Sequence, residues 1–87
     1  MYSREIVVKN QVGLHARPAG ILVKKAAAFQ SKITVENTEK GKSADAKRIM
    51  GVMSLGVKNR QKIVLTIEGD DEEQAAQELE AFLKENL

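Results

Sequence analysis

Seven consecutive residues, Gly13-Leu14-His15-Ala16-Arg17-Pro18-Ala19, hold the side chains best suited to chemistry. His15 is the only histidine of the 87-residue chain and Pro18 its only proline, with Arg17 between them. A neutral imidazole nitrogen is a nucleophile, and an arginine is a permanent cation whose planar donors fit phosphate or carboxylate. The run Ile6-Val7-Val8 precedes this stretch, and a helical pattern from Ala19 to Phe29 follows it. The reading is a strand, a turn at Gly13 and a helix that starts beside His15. Pro18 suits that start, because the first helical turn has no intrahelical acceptors for its N–H groups. Those unpaired donors, with the positive end of the helix dipole, favour an anion. The combination fits a covalently phosphorylated histidine, with Ala16, Arg17 and Pro18 around the phosphate.

Such a histidine must stay unprotonated near neutral pH to attack phosphorus, and both the helix start and Arg17 disfavour the imidazolium. Once phosphorylated it carries roughly −2 charge, which the first-turn amides and Arg17 can receive. The dipole contributes only about 0.3–1 kcal/mol. Modest stabilisation suits a carrier, which must release what it accepts. No general acid or base is required, since phosphoryl transfer depends mainly on alignment and charge.

The elements that must position this stretch follow in order. Residues 4–9 alternate around Ile6 and Val8 as a strand with one buried face. From Ala16, the apolar positions Ala19, Leu22, Val23, Ala26 and Phe29 recur at helical spacing, with Lys24 and Lys25 off the stripe. Gly20 within it costs roughly 1 kcal/mol relative to alanine, which reads either as close approach by a partner or as a tolerated small residue. Lys32 to Glu36 alternates with Ile33 and Val35 inward, 37–41 is turn-rich, and Lys42 to Asp45 can return as a short strand. Ile49 to Leu55 supports one or two helical turns, with Val52 and Leu55 inward and Met50 and Met53 on another, partly exposed face. Lys62 to Glu68 is the clearest strand. Asp70 with Glu73 reads as an acidic capping box opening a helix near Asp71, with Ala75, Ala76, Leu79, Phe82 and Leu83 as its buried stripe. The order is β-α-β-β-α-β-α, an α+β domain with helices over one sheet face and the other facing water.

Composition sets the bounds. The chain makes one domain, residues 1–87, with a single modest core. It has no cysteine and one histidine, so neither disulfides nor a transition-metal site is expected, and no cofactor is called for. No apolar run approaches the ~20 residues of a membrane span, and a cytoplasmic protein is expected. The net charge of +2 hides a division: +9 up to Ile67 and −7 from Glu68 onward. A basic region with Arg17, Lys24, Lys25, Lys47 and Arg48 suits an acidic protein partner or a phosphate. A nucleic-acid module is disfavoured, because Tyr2 and Phe29 are the only aromatics before Glu68 and stacking platforms are missing.

Two motifs, Gly-Leu-His-Ala-Arg-Pro-Ala at 13–19 and Ile-Met-Gly-Val-Met-Ser-Leu-Gly at 49–56, resemble those of the HPr family, the histidine-containing phosphocarriers of the bacterial phosphoenolpyruvate:sugar phosphotransferase system. The resemblance runs from about Glu5 to Phe82. It implies an open-faced β-sandwich, a four-stranded antiparallel sheet with three helices on one face. It further implies that enzyme I passes a phosphoryl group from phosphoenolpyruvate to His15, on the ring nitrogen facing the helix amides (Nδ1 in the family). Enzyme IIA domains then remove it; the protein is a carrier and not an autonomous catalyst. Arg17 matches the arginine beside the phosphate and residues 49–53 the apolar docking patch. Docking is therefore expected at Leu14, Gly20, Lys24, Arg48, Ile49, Met50 and Met53, on a monomer. Many Gram-positive members carry, just before the second motif, a serine phosphorylated by a dedicated kinase; here Arg48 stands there. Two other readings remain. One is a paralogue in a regulatory or specialised branch, serving transcriptional or metabolic regulators. The other is a regulatory binding module that uses the same face without phosphotransfer, which the pairing of His15 with Arg17 opposes.

Overall fold

The computed structural model describes every residue except Asn10, Val12, Leu14 and His15. Its elements are β1 (Tyr2–Val7), α1 (Ala16–Ala27), β2 (Lys32–Asn37), β3 (Lys42–Asp45), α2 (Ile49–Ser54), β4 (Lys62–Glu68) and α3 (Glu72–Asn86). The strands form one antiparallel sheet in the order β1-β4-β2-β3. Every second residue faces inward, and the register places the inward residues opposite one another: Ile33 with Ile67, Val35 with Leu65, Ile6 with Ile63. All six are buried. A one-residue slip would turn them all to water, so burial itself holds the register.

The three helices cover that inner face. Ala19, Leu22 and Ala26 of α1, Val52 of α2, and Ala75, Ala76, Leu79, Phe82 and Leu83 of α3 join the sheet residues in one core. On the opposite face Glu5 and Val7 are exposed and Thr34, Glu36, Val64 and Thr66 half-buried, as strand alternation predicts. Among the described residues no helix is long and apolar enough to cross a membrane.

Several boundaries differ from the pattern-based expectation. β1 runs two residues earlier than residues 4–9 at each end, because the ladder with β4 extends back to Tyr2–Ile67 and ends at Val7–Lys62. Val8 is still fully buried, but lies past the strand. Phe29 is buried beyond α1, whose last turn tightens as the Phe29 N–H bonds to the Ala26 carbonyl at 3.1 Å. β2 reaches Asn37, which was expected to open the turn.

The capping box at Asp70 and Glu73 is not formed. α3 begins at Glu72 with Asp71 as N-cap, and Asp71 makes no side-chain bond to its own helix. Its carboxylate instead accepts from the Gln30 N–H (2.8 Å), the Ser31 N–H (3.0 Å) and the Ser31 hydroxyl. It thereby ties the start of α3 to the start of β2. Local spacing predicts a cap but is blind to donors 40 residues away, which offer three hydrogen bonds in its place.

Candidate phosphate site and docking face

The acceptor stretch begins at Gly13, which is buried with φ +79°. That left-handed conformation suits glycine, and a Cβ there would overlap the Val57 carbonyl oxygen and come within 2.8 Å of Lys58 Cα. The chain before α1 is thus pressed directly against the 57–58 backbone. Two further contacts extend this attachment: the Val8 N–H bonds to the Gln61 carbonyl (2.9 Å) and the Arg60 N–H to the Val8 carbonyl (2.7 Å). His15 and Leu14 lie outside the described residues, so the expected acceptor and its expected docking neighbour are bracketed in sequence by Gly13 on one side and Ala16 on the other.

α1 opens at Ala16, with Pro18 third. Ala16 and Arg17 are exposed and Pro18 is buried. Pro18 has no N–H, so the first-turn donors for an anion are those of Ala16 and Arg17, while the Pro18 ring seats the helix on the core. No acid lies in this first turn, and among the described residues no carboxylate pairs with Arg17. A helix start, with its N–H groups that lack intrahelical acceptors, its positive dipole end and an exposed guanidinium, can hold a dianion.

α2 packs beside α1. A Cβ placed at Gly20 would sit 3.6 Å from Ile49 Cδ1, an ordinary contact, so Gly20 faces the neighbouring helix. The outer side of α2 is apolar and open: Met50 is 78% exposed, Met53 42% and Ile49 40%. Val52 and Leu55 are buried, as their spacing indicates. Arg17, Ile21 and Lys24 recur at four and three residues along α1, share one face and are all exposed. Arg48, also exposed, is the N-cap of α2 with an extended backbone and makes no capping bond. Lys47, expected in the basic region for an acidic partner or a phosphate, is half-buried and its Nζ donates to the Phe29 carbonyl at 2.8 Å. The exposed surface therefore combines the acid-free start of α1, methionines and cations. Pliable methionine side chains can fit more than one partner.

Three features of this region were not anticipated from the sequence. Asn37 is fully buried, its Nδ2 donating to the Leu55 carbonyl (2.9 Å) and to Gln61 Oε1 (3.2 Å). Its parity with Ile33 and Val35 was a usable clue to burial, although its partners were not. Arg60 adopts φ +72°, and Gln61 Oε1 also receives the Lys58 N–H at 2.9 Å. Among the described residues no cluster of three acids or histidines could hold a metal ion.

Comparison with known proteins agrees with this architecture. Residues 2–85 match the family model described as the PTS HPr component phosphorylation site. The chain is 42% identical over 84 residues to the HPr-like protein Crh of Halalkalibacterium halodurans, covering 97% of this chain and 98% of that one. It is 42% identical over 85 residues to the phosphocarrier protein HPr of Lysinibacillus sphaericus, covering 98% and 94%. The crystal structure of HPr-C-His from Thermoanaerobacter tengcongensis superposes with a TM-score of 0.90 at 44% identity, covering 99% of this chain and 94% of that one. Sequence motifs, strand order and three helices on one sheet face thus converge, and the chain belongs to the HPr family of phosphotransferase-system phosphocarriers.

Proposed function

We propose that this chain carries phosphoryl groups in sugar uptake, accepting on His15 from phospho-enzyme I and delivering to enzyme IIA domains. The observation that carries this reading is the juxtaposition, through Gly20 and Ile49, of the acid-free start of α1 with the exposed apolar face of α2. In the transfer, the bond from phosphorus to the donor breaks as the bond to the neutral imidazole nitrogen forms. Arg17 and the Ala16 and Arg17 amides receive the charge of the transferred group, and no general acid or base intervenes. The return step reverses the roles, and exposure of the helix start keeps the stabilisation modest. Ile49, Met50 and Met53 supply apolar contact, while Lys24 and Arg48 attract acidic partners. The protein works as a monomer in the cytoplasm, without a cofactor.

The test is incubation with enzyme I and phosphoenolpyruvate. The expected product is acid-labile, base-stable phosphate on the wild-type chain and none on His15→Ala, with the fold retained. Acceptance by His15→Ala at the normal rate would remove His15 from its role. The likeness to an HPr-like Crh protein favours a second reading, a regulatory module that uses the same face. That reading gains if the wild type binds partners through α2 but accepts no phosphate.

A further inference from the structure

The residue that joins the docking helix to the acceptor stretch is in neither of them. Asn37, at the end of β2, is fully buried and uses its whole amide. Nδ2 donates to the last turn of α2 at the Leu55 carbonyl and to Gln61 Oε1, while Oδ1 accepts the Glu39 N–H at 3.1 Å. Gln61 Oε1 also receives the Lys58 N–H, which closes the 58–61 turn.

That turn grips the chain on its way to His15. Its backbone exchanges hydrogen bonds with Val8, Asn59 Nδ2 donates to the Lys9 carbonyl (3.2 Å), and Gly13 lies against Val57 and Lys58 without room for a Cβ. Arg60 holds a left-handed backbone there, a conformation that a non-glycine residue keeps only where its surroundings enforce it. One side-chain amide pair thus connects α2 to the segment ending at Gly13, two residues before the acceptor.

We propose that Asn37 and Gln61 are positioning residues for phosphoryl transfer, holding the acceptor stretch in register with docking helix α2. The proposal rests on the reading of His15 as acceptor. A partner that docks on α2 reaches the acceptor in line only if these two elements keep a set separation, and small misplacements of reacting groups cost rate rather than affinity. Asn37 is fully buried and the Gln61 amide is engaged by Asn37 and Lys58, so their loss should slow the transfer step and leave docking intact.

The test uses Gln61→Ala, which removes one acceptor from a half-buried site where water can satisfy the freed donors. Gln61→Glu, which keeps an acceptor oxygen, serves as the rescue. Asp71→Asn is the control, because it weakens a tie at the opposite end of β2, roughly 17 Å away at the rise of a strand. Single-turnover transfer from phospho-enzyme I is measured beside the Kd for enzyme I, with hydrogen exchange followed at the Val8, Arg60 and Ser31 amides. Gln61→Ala should transfer about tenfold more slowly, keep its Kd within about twofold and exchange faster at Val8 and Arg60 but not at Ser31. Gln61→Glu should regain most of the rate, and Asp71→Asn should transfer normally. The proposal is overturned if Gln61→Ala transfers at the wild-type rate, if its Kd weakens in step with the rate, or if Asp71→Asn slows equally. Unchanged exchange at Val8 and Arg60 overturns it whatever the transfer data. A wild type that accepts no phosphate defeats the His15 reading, and the exchange result still decides whether the clamp exists.

Discussion

Arg17 differs from the chain's other cations in where it stands. It lies in the first turn of α1, exposed, with no acid in that turn to compete for it. A hydrogen bond between charged groups contributes about 1.5–3 kcal/mol, whereas the two backbone donors at the helix start remain without it. Arg17→Ala should therefore still accept phosphate but transfer about 10- to 100-fold more slowly, as single-turnover kinetics in both directions would show. Unchanged rates would reduce Arg17 to a surface charge. Asp71 makes a contrasting case at the same scale. The Ser31 hydroxyl first, then the Gln30 N–H, hold its carboxyl below its ordinary value of 3.8. A depressed carboxylate stabilises the fold above its unfolded-state value, and that contribution disappears as pH falls through the folded-state value. Melting temperature should thus drop on acidification below about pH 4, and Asp71→Asn should start lower at neutral pH and lose less on the way down. Parallel curves for the two proteins would show that Asp71 does not drive the acid transition.

At the scale of elements, α2 is a short helix whose two sides do different work. Val52 and Leu55 anchor it, and Met50 carries almost none of the packing. Met50→Asp should shift the melting temperature by no more than a few degrees, yet weaken enzyme I binding by about tenfold, or ~1.4 kcal/mol. An equal loss of both would make Met50 a structural residue. The entry to α2 yields another prediction. Arg48 holds the N-cap of α2, the position at which the resemblance to the HPr family implies a kinase-regulated serine in many Gram-positive members. Ser43 lies on edge strand β3, and the Ser54 hydroxyl, at the far end of α2, already donates to the Gly51 carbonyl at 2.6 Å. Neither stands at a helix start, where a new phosphate would meet unpaired N–H groups. Offered that kinase and ATP, the chain should gain no serine phosphate, and Arg48→Ser should gain it. Serine phosphate on the wild type would place the regulation at another residue.

For the whole molecule, the division of charge along the chain becomes a means of attaching α3. Its acids meet bases of the earlier elements: Arg4 Nε lies 3.5 Å from Glu80 and Lys25 Nζ 3.6 Å from Glu78. Both pairs are solvent-accessible, so each contributes at most about 1 kcal/mol and the apolar stripe of α3 holds the helix down. Lys24, Arg48 and Arg17 remain on the outer surface beside α2. Association with an acidic partner should consequently slow as ionic strength rises through the physiological range, where screening acts over about 8 Å. Stopped-flow association rates in 50 and 500 mM salt would measure this, and a rate indifferent to salt would leave apolar contact as the sole attraction.

What the sequence determined by itself was periodic or covalently local. Strand alternation, the helical stripes of α1 and α3, the proline at a helix start and the two motifs are written in spacings of two to four residues, where side-chain direction follows from backbone geometry alone. The element order, the inward set of β4 and the opposite placements of Met50 and Val52 could therefore be read directly. The tertiary structure decided whatever depended on partners distant along the chain. Asp71 turns away from its own helix because Gln30 and Ser31, just before β2, come within reach only once the chain has folded. Asn37, in a turn-like stretch, is buried because the end of α2 and Gln61 close over it with the matching acceptors. Gly13 needs to be glycine because the Val57 carbonyl occupies the space of a Cβ. Each of these rests on a hydrogen bond or an excluded volume between elements, and those exist only after the chain has folded.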